Sequence, residues 1–456
     1  MRIKKFILLL GDIIILYASL AIALTIRYRE FDLGTFQNHI LPFSIVYFVW
    51  LIVFFIHNLY DLDTAKNNIE FSSSLIRGII IGGLISIAFF YLIPGFAINE
   101  LTPKTNLLLT IIIFVFLFYG WRLFFNFLIG ALKIRINLAI VGYNPQAIEL
   151  AKEIIKNPQL GYRLKLIVKS DDEPIKDRLD GVKIIQGIKN LKGILEQENI
   201  STAIIAPEVY KYPELIQNLF ECIRHKIDFV NLSEFYETVT RKIPLTVINQ
   251  IWFLENISQR DRNVYELAKR YFDFISAFIL LICSLPFWIV IAIMVKFSSN
   301  GSVFYSQKRV GRGGKTFKLT KFRSMVMDAE KYGPKMAKKN DKRVTKFGRF
   351  MRKTRMDELP QLWNVIKGQM SFVGPRAERP EFHQELKEKI PFYQERYLIR
   401  PGLSGWAQIK HGYSSTVEDN FEKVQYDLYY IKNRSFILDT SIVLKTINII
   451  LRGGGR

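Results

Sequence analysis

Four apolar stretches, residues 6–26, 40–60, 75–96 and 107–129, fill the first third of the chain. Each runs for about 20 residues, enough to cross a hydrocarbon core of roughly 30 Å as a helix. The first is not read as a secretory leader, because no small-residue cleavage site follows and three more stretches do. Asp12 lies inside it, where an acid faces the other helices or snorkels. Arg2, Lys4 and Lys5 precede the first stretch, and Arg122, Lys133 and Arg135 lie late in or after the fourth. Between them Arg27, Arg29 and Lys104 are partly offset by Glu30, Asp32 and Glu100. That bias and the even count put both ends inside, with the rest of the chain cytoplasmic. Cys222 and Cys283 are the only cysteines, and the second lies in an apolar run, so a disulfide framework is not expected. A cysteine zinc cluster is excluded, and five scattered histidines argue against a His-rich metal site.

The remaining residues are not membrane-like. Over all 456 residues, 50% are hydrophobic and mean hydropathy is only +0.14, which fits a chain that is part membrane and part globular. From Asn137 the pattern becomes strand, turn, helix: residues 137–141 are apolar, Gly142 follows, and helical spacing runs to Ile155. Further strands are expected at 164–169, 183–186, 202–206 and 228–232, alternating with helical segments, as in a parallel sheet covered by helices. The loop Gly142-Tyr143-Asn144-Pro145-Gln146-Ala147 keeps only the first glycine of the dinucleotide fingerprint. A structural or regulatory domain without a cofactor is therefore expected.

A fifth apolar run, 274–297, is interrupted by Ser284-Leu285-Pro286. Proline removes a backbone donor and kinks a helix. The run either crosses with a kink or dips in, turns at Pro286 and leaves on the same side. Lys269 and Arg270 before it and Lys296, Lys308 and Arg309 after it favour the second course. From Lys308 to Arg355, eighteen Lys and Arg face three acids, most of the net charge of +22. Anionic partners follow: lipid headgroups, nucleotides or phosphates. The segment 308–314 (KRVGRGG) is a basic glycine-rich loop able to present backbone N–H groups to phosphate. Asp357 and Glu358 stand just before Pro360, with Leu359, Leu362, Trp363 and Ile366 at one-face helical spacing and Gly368 as a stop. Taken alone, such acids could simply complement a helix dipole.

The order of motifs says more. KFRSM (321–325), DELPQLWNV (357–365), MSFVGPR (370–376) and RPGLSGWAQ (400–408), followed by Tyr426-Asp427, resemble the bacterial sugar transferase family. These are the polyprenyl-phosphate phosphoglycosyl transferases, and the likeness runs from about Tyr265 to the C-terminus. The four spans and α/β unit resemble its long-form members, which begin exopolysaccharide, capsule or O-antigen repeat units. The resemblance implies an α/β plus membrane architecture. Residues 1–133 would form a four-helix transmembrane bundle, and 134–250 a Rossmann-like (CoA-binding-like) parallel α/β domain without cofactor. Residues 251–264 would be a linker, and 265–456 a mostly helical monotopic catalytic domain with a re-entrant hairpin at about 273–297. It further implies transfer of a sugar 1-phosphate from a UDP-sugar to undecaprenyl phosphate with release of UMP, at the cytoplasmic face of a bacterial inner membrane. Asp357 would be the nucleophile and Glu358 its partner, both near Mg²⁺. Lys321, Arg323, Arg352 and Arg355 would supply cations. Arg376 matches a Pro-Arg-Pro element linked to the uridine nucleotide, although Ala377 replaces the second proline. Arg400, Gln408 and Asp427 match other family positions. A homodimer is a further possibility that the long-form members suggest.

Two other readings have less support. Tyr265-Glu266-Leu267-Ala268-Lys269 offers the Tyr-x-x-x-Lys spacing of a nucleotide-sugar dehydratase or epimerase, but it precedes a membrane segment and the glycine fingerprint is missing. A non-enzymatic basic scaffold would leave the motifs without a purpose, and no nucleic-acid module is visible.

Overall fold

The structure, a computed structural model, describes residues 2–61, 69–92, 103–131, 136–169, 179, 181–186, 191–257, 263–329, 341–411 and 416–451. Lys133, Arg135 and Glu100, the end of the third apolar stretch (93–96), part of the expected linker (258–262), and Glu330, Lys331, Lys335, Lys338 and Lys339 of the basic segment lie outside the described residues.

Four long helices open the first of two compact units: α1 (Arg2–Tyr28), α2 (Leu33–Ile56), α3 (Ile69–Leu92) and α4 (Pro103–Ala131). Each contains a stretch long and apolar enough to cross a membrane. Asp32 caps α2, its carboxylate accepting the Thr35 N–H at 2.7 Å. The four share one apolar core, with Leu16 and Leu20, Phe43 and Trp50, Phe71 and Leu75, and Phe114 and Phe118 turned inward. Ile14, Phe48, Ile80 and Phe116 face outward, as lipid-facing positions do. Asp12 is buried in that core and meets Arg122 at 2.7 Å. Arg122 also donates to the Leu59 carbonyl at 3.0 Å and lies over the Phe118 ring. Arg122, counted above among the charges late in or after the fourth stretch, is thus matched by Asp12 inside the helix core.

The same unit holds a five-stranded sheet: β1 (Ile136–Val141), β2 (Tyr162–Lys169), β3 (Lys183–Gln186), β4 (Thr202–Ile205) and β5 (Asp228–Asn231), in the order β3-β2-β1-β4-β5. Strand β1 pairs in parallel with β2 and β4, and β2 with β3. The last four residues of β1 are buried without alternation, as a central parallel strand covered on both faces requires. Helices α5 (Pro145–Lys156), α6 (Leu191–Gln197) and α7 (Pro213–Cys222) fall between strands in sequence. Gly142 ends β1 with φ +114, where a side chain would also strike the Ala206 Cβ and the Glu208 carboxylate. The turn that would cradle a dinucleotide phosphate thus has an acid against it.

The second unit takes in residues 231–456 together with 144–146. It begins with α8 (Leu232–Thr240) and α9 (Gln250–Asn256), earlier than the sequence boundary at 250. The shift has a packing cause. Ile243, Leu245 and Ile248 are buried in the same core as Trp406, Val424, Leu428 and Tyr430, and the Ile243 N–H donates to the Gln425 carbonyl. Helix α10 (Asn263–Ser298) follows. It stays helical through Pro286, so the expected turn there is not a loop; the Ser284 hydroxyl donates to the Leu281 carbonyl and accepts from Trp288. Its two halves rest on one unit: Ala277 shares a cluster with Leu319, Leu362 and Val365, and Ile291 and Val295 share one with Phe322 and Met351. Tyr265 and Lys269 both bond to Asp439, at 2.7 and 2.6 Å, which ties α10 down and gives that Tyr-x-x-x-Lys spacing a structural use. Beyond it come the antiparallel hairpin β6 (Phe304–Val310) and β7 (Thr316–Phe322), then α11 (Lys346–Thr354) and α12 (Gln361–Ile366). Next are β8 (Ser371–Val373), α13 (Pro380–Lys389), β9 (Gly402–Ser404, parallel to β8) and α14 (Trp406–Lys410). The described chain closes with α15 (Val417–Asn433) and α16 (Phe436–Leu451).

Candidate active site

The two adjacent acids sit in a tight turn between α11 and α12. Arg355 ends α11 in the left-handed conformation (φ 59), residues Met356–Glu358 make one 3₁₀ turn, and Pro360 starts α12. Strand β7 packs against this turn and brings Lys321 beside it. Asp357 is 5% exposed, and among the described residues no hydrogen bond reaches its carboxylate. Burial and the neighbouring Glu358 push its pKa up to about 6, against the pull of Lys321, Arg352 and Arg355. Glu358 goes the other way. Burial would raise it, but Arg376 and Arg355 outweigh that and hold it well below the ordinary carboxylate range. The contacts are direct: Arg376 donates to Glu358 at 2.9 Å and Arg355 at 3.2 Å. Lys321 is pushed down to about 8 by burial, and its ammonium lies 5.3 Å from the centre of the Tyr305 ring. One acid is thus locked as an anion while its neighbour is a buried carboxylate free of hydrogen bonds, and four cations surround the pair.

Residues 264–453, which hold this site, match the model of the bacterial sugar transferases. A UDP-glucose:undecaprenyl-phosphate glucose-1-phosphate transferase of Klebsiella pneumoniae is 32% identical over 345 residues, 70% of this chain and 68% of that relative. The chain belongs to the bacterial sugar transferase family. An Aeromonas hydrophila relative, a UDP-N-acetylgalactosamine-undecaprenyl-phosphate N-acetylgalactosaminephosphotransferase, is 40% identical over 239 residues, 52% of this chain. An exopolysaccharide production protein of Rhizobium leguminosarum is 37% identical over 196 residues, 41% of this chain and 98% of its own length. The chain spans 55% of the Aeromonas protein and 39% of a Xanthomonas campestris relative.

The structure does not bring every family-matched residue of this chain to the acid pair. Lys321, Arg352, Arg355 and Arg376 are there. Arg323 is drawn away, donating to the Ser299 carbonyl at 2.6 Å just past α10. Gln408 lies against the Gly374–Gly405 crossing, its Oε1 buried and without a hydrogen-bond partner among the described residues. That crossing explains part of the motif spacing. A Cβ on Gly402 would sit 2.1 Å from the Gly374 nitrogen, so backbone meets backbone there. Asp427 is buried against Arg396 at 2.6 Å, and Arg396 also donates to the Arg376 carbonyl at 3.1 Å. Asp427 therefore reaches the site only through Arg396. Arg400 opens onto a different cavity.

Arg396, Glu378 and Lys423 carry no signal in the sequence, and Arg309 stands out there only as part of the basic loop. Glu378 pairs with Lys423 and lies 3.8 Å from Arg396; Arg309 donates to the Ala377 carbonyl at 2.9 Å. Where the second proline of the family element is absent, Arg309 and Arg396 thus hold the carbonyls that flank the loop's turn. No local pattern announces these pairs, which join residues 18 to 68 positions apart.

Among the described residues, no group of three or more His, Cys, Asp or Glu side chains is placed to hold a metal ion. A magnesium ion needs no such group when it draws most of its ligands from phosphate and water. Asp357, with no hydrogen bond on its carboxylate, and Glu358 fit that limited role.

Proposed function

We propose that the chain transfers a sugar 1-phosphate from a UDP-sugar to undecaprenyl phosphate, releasing UMP, as a first step in building a bacterial polysaccharide. The observation that carries this reading is the Asp357–Glu358 turn inside its cationic shell, in the segment matched to the family. In the first step an Asp357 oxygen bonds to the β-phosphorus of the donor. The bond from that phosphorus to the bridging oxygen breaks, and UMP leaves with the electron pair. In the second step an oxygen of the lipid phosphate attacks the same phosphorus, and the Asp357 carboxylate is released. A covalent step of this kind divides one difficult displacement into two. Lys321, Arg352 and Arg355 lower the repulsion between a carboxylate and an anionic diphosphate. Arg376, fixed by Glu358 and Arg396, orients the uridine nucleotide. Asp357 and Glu358 would hold Mg²⁺, which would supply further charge neutralisation at the diphosphate.

The architecture supports the lipid acceptor. We read the four N-terminal helices as a transmembrane bundle, the sheet as a Rossmann-like domain without cofactor, and α10 as re-entrant. The residues around Pro286 leave Phe287 61% and Ile289 67% exposed while both halves of α10 pack on the same unit. The second unit then rests on the cytoplasmic face of the inner membrane, where the acceptor's phosphate is reached without extracting its tail. The relatives' names differ in the sugar, so the test uses a panel. UMP release is followed from several UDP-sugars in bilayers with undecaprenyl phosphate, with and without Mg²⁺. Release over many turnovers from one donor, sustained only with both lipid and Mg²⁺, supports the reading; no release from any donor overturns it.

A further inference from the structure

A second cluster of cations lies apart from the acid pair. A cavity of about 330 Å³ is bounded by the first turns of α10, the β6–β7 turn and the segment leading into β9. Arg270, Arg312, Arg400 and Arg434 line it together with Glu266 and Leu267. Among the lining residues one carboxylate, Glu266, answers four guanidiniums, and it is already paired with Arg434 at 2.9 Å; Asp273 is a further acid near Arg400. Arg270 gives one N–H each to the Val365 and Ile366 carbonyls, at 2.6 and 2.7 Å, which orients its charge without cancelling it and leaves further donors. Arg312 and Arg400 make no side-chain hydrogen bond or ion pair among the described residues. Burial, with Arg312 and Arg270 as neighbours, lowers the Arg400 pKa, so these cations repel one another as they stand. None of the four is among the charges that chiefly set the protonation of Asp357 or Glu358.

We infer that this cavity is a phosphate-binding site separate from Asp357, formed by Arg270, Arg312 and Arg400 and taking the phosphate of an anionic lipid headgroup or a free phosphate. Guanidiniums suit phosphate because their planar donors match its oxygens in pairs. The volume is at the small end of ligand cavities, which fits one phosphate with a short headgroup. Its place on α10 favours the lipid. Arg270 lies one turn before the apolar run, at headgroup depth when that run is in the bilayer. Leu267 and Tyr271 stand 59% and 61% exposed beside it, where an acyl chain could lie. The motif position of Arg400 thereby gains a use other than donor binding, and the basic loop 308–314 contributes its Arg312.

The test is native mass spectrometry of the full chain from micelles holding equal phosphatidylglycerol and phosphatidylcholine, beside Arg312→Glu and Arg400→Gln. Arg312 is exposed, so its substitution leaves folding intact, checked by an unchanged melting midpoint in lipid-free micelles. Retention of phosphatidylglycerol by wild type, weakened about tenfold or more in both variants, establishes the site with a lipid source. If the lipid is not retained but inorganic phosphate raises the wild-type midpoint and not that of either variant, the source is a free phosphate. If neither probe separates wild type from the variants, the inference is overturned.

Discussion

Asp427→Asn removes the charge from the most deeply buried ion pair of the second unit. Arg396 and Asp427 are both about 1% exposed and meet at 2.6 Å. Breaking a buried pair by neutralising one partner costs about 3–5 kcal/mol, because the other charge stays buried and uncompensated. Glu378, 3.8 Å from Arg396, is a second anion, so the lower end applies, about 3 kcal/mol. For a unit of this size that lowers the melting midpoint by about 6–12 °C. The assay is thermal unfolding of the full chain in micelles, read on the transition of the second unit. Arg396→Met with Asp427→Leu removes both charges and should recover most of the loss. Arg396 also holds the Arg376 carbonyl, so a folded Asp427→Asn protein should show a raised KM for the donor with a smaller change in kcat. A destabilisation under about 1 kcal/mol, or a double variant as unstable as the single one, would contradict this.

Other consequences are as direct. Arg376→Ala removes one charge-assisted bond to Glu358, and with Arg376 40% exposed the loss in kcat/KM for the donor should be about tenfold, measured by initial rates. Lys321 is charged below about 8 and neutral above it, so turnover should fall as pH rises through that value; Lys321→Arg should move the decline to higher pH in a pH–rate profile. Asp12→Leu strands Arg122 inside the helix core and should lower the melting midpoint of the first unit, while Asp12→Leu with Arg122→Leu restores it.

The sequence announces what local periodicity carries. The strands of the parallel sheet fall where the apolar runs are, with β3 at 183–186 as expected, and the Asp-Glu turn before Pro360 is legible from its residue types. Contacts between distant residues are not legible. Nothing near Asp427 points to Arg396, and nothing near Arg323 shows that the end of α10 will draw its guanidinium away from the site. Trp363 has the spacing of a core residue yet is 51% exposed, with the Lys367 ammonium 5.4 Å from the centre of its ring. Periodicity assigns a face but not what lies opposite it. Pro286 marks a bend in the sequence pattern, and the backbone around it is helical rather than a loop. The boundary near 231 was hidden because Ile243, Leu245 and Ile248 look like the tail of the α/β unit until their core partners are known.

In the proposed reaction Asp357 takes the phosphosugar onto its own carboxylate. The full chain is incubated with its UDP-sugar and Mg²⁺ but no lipid acceptor, quenched in acid, digested and weighed by mass spectrometry. A phosphosugar adduct on the peptide holding Asp357, formed with close to one equivalent of UMP and discharged when undecaprenyl phosphate is added, is the predicted result. UMP formed only when the lipid is present, at an undiminished rate in Asp357→Asn and with no adduct at any time, would contradict it.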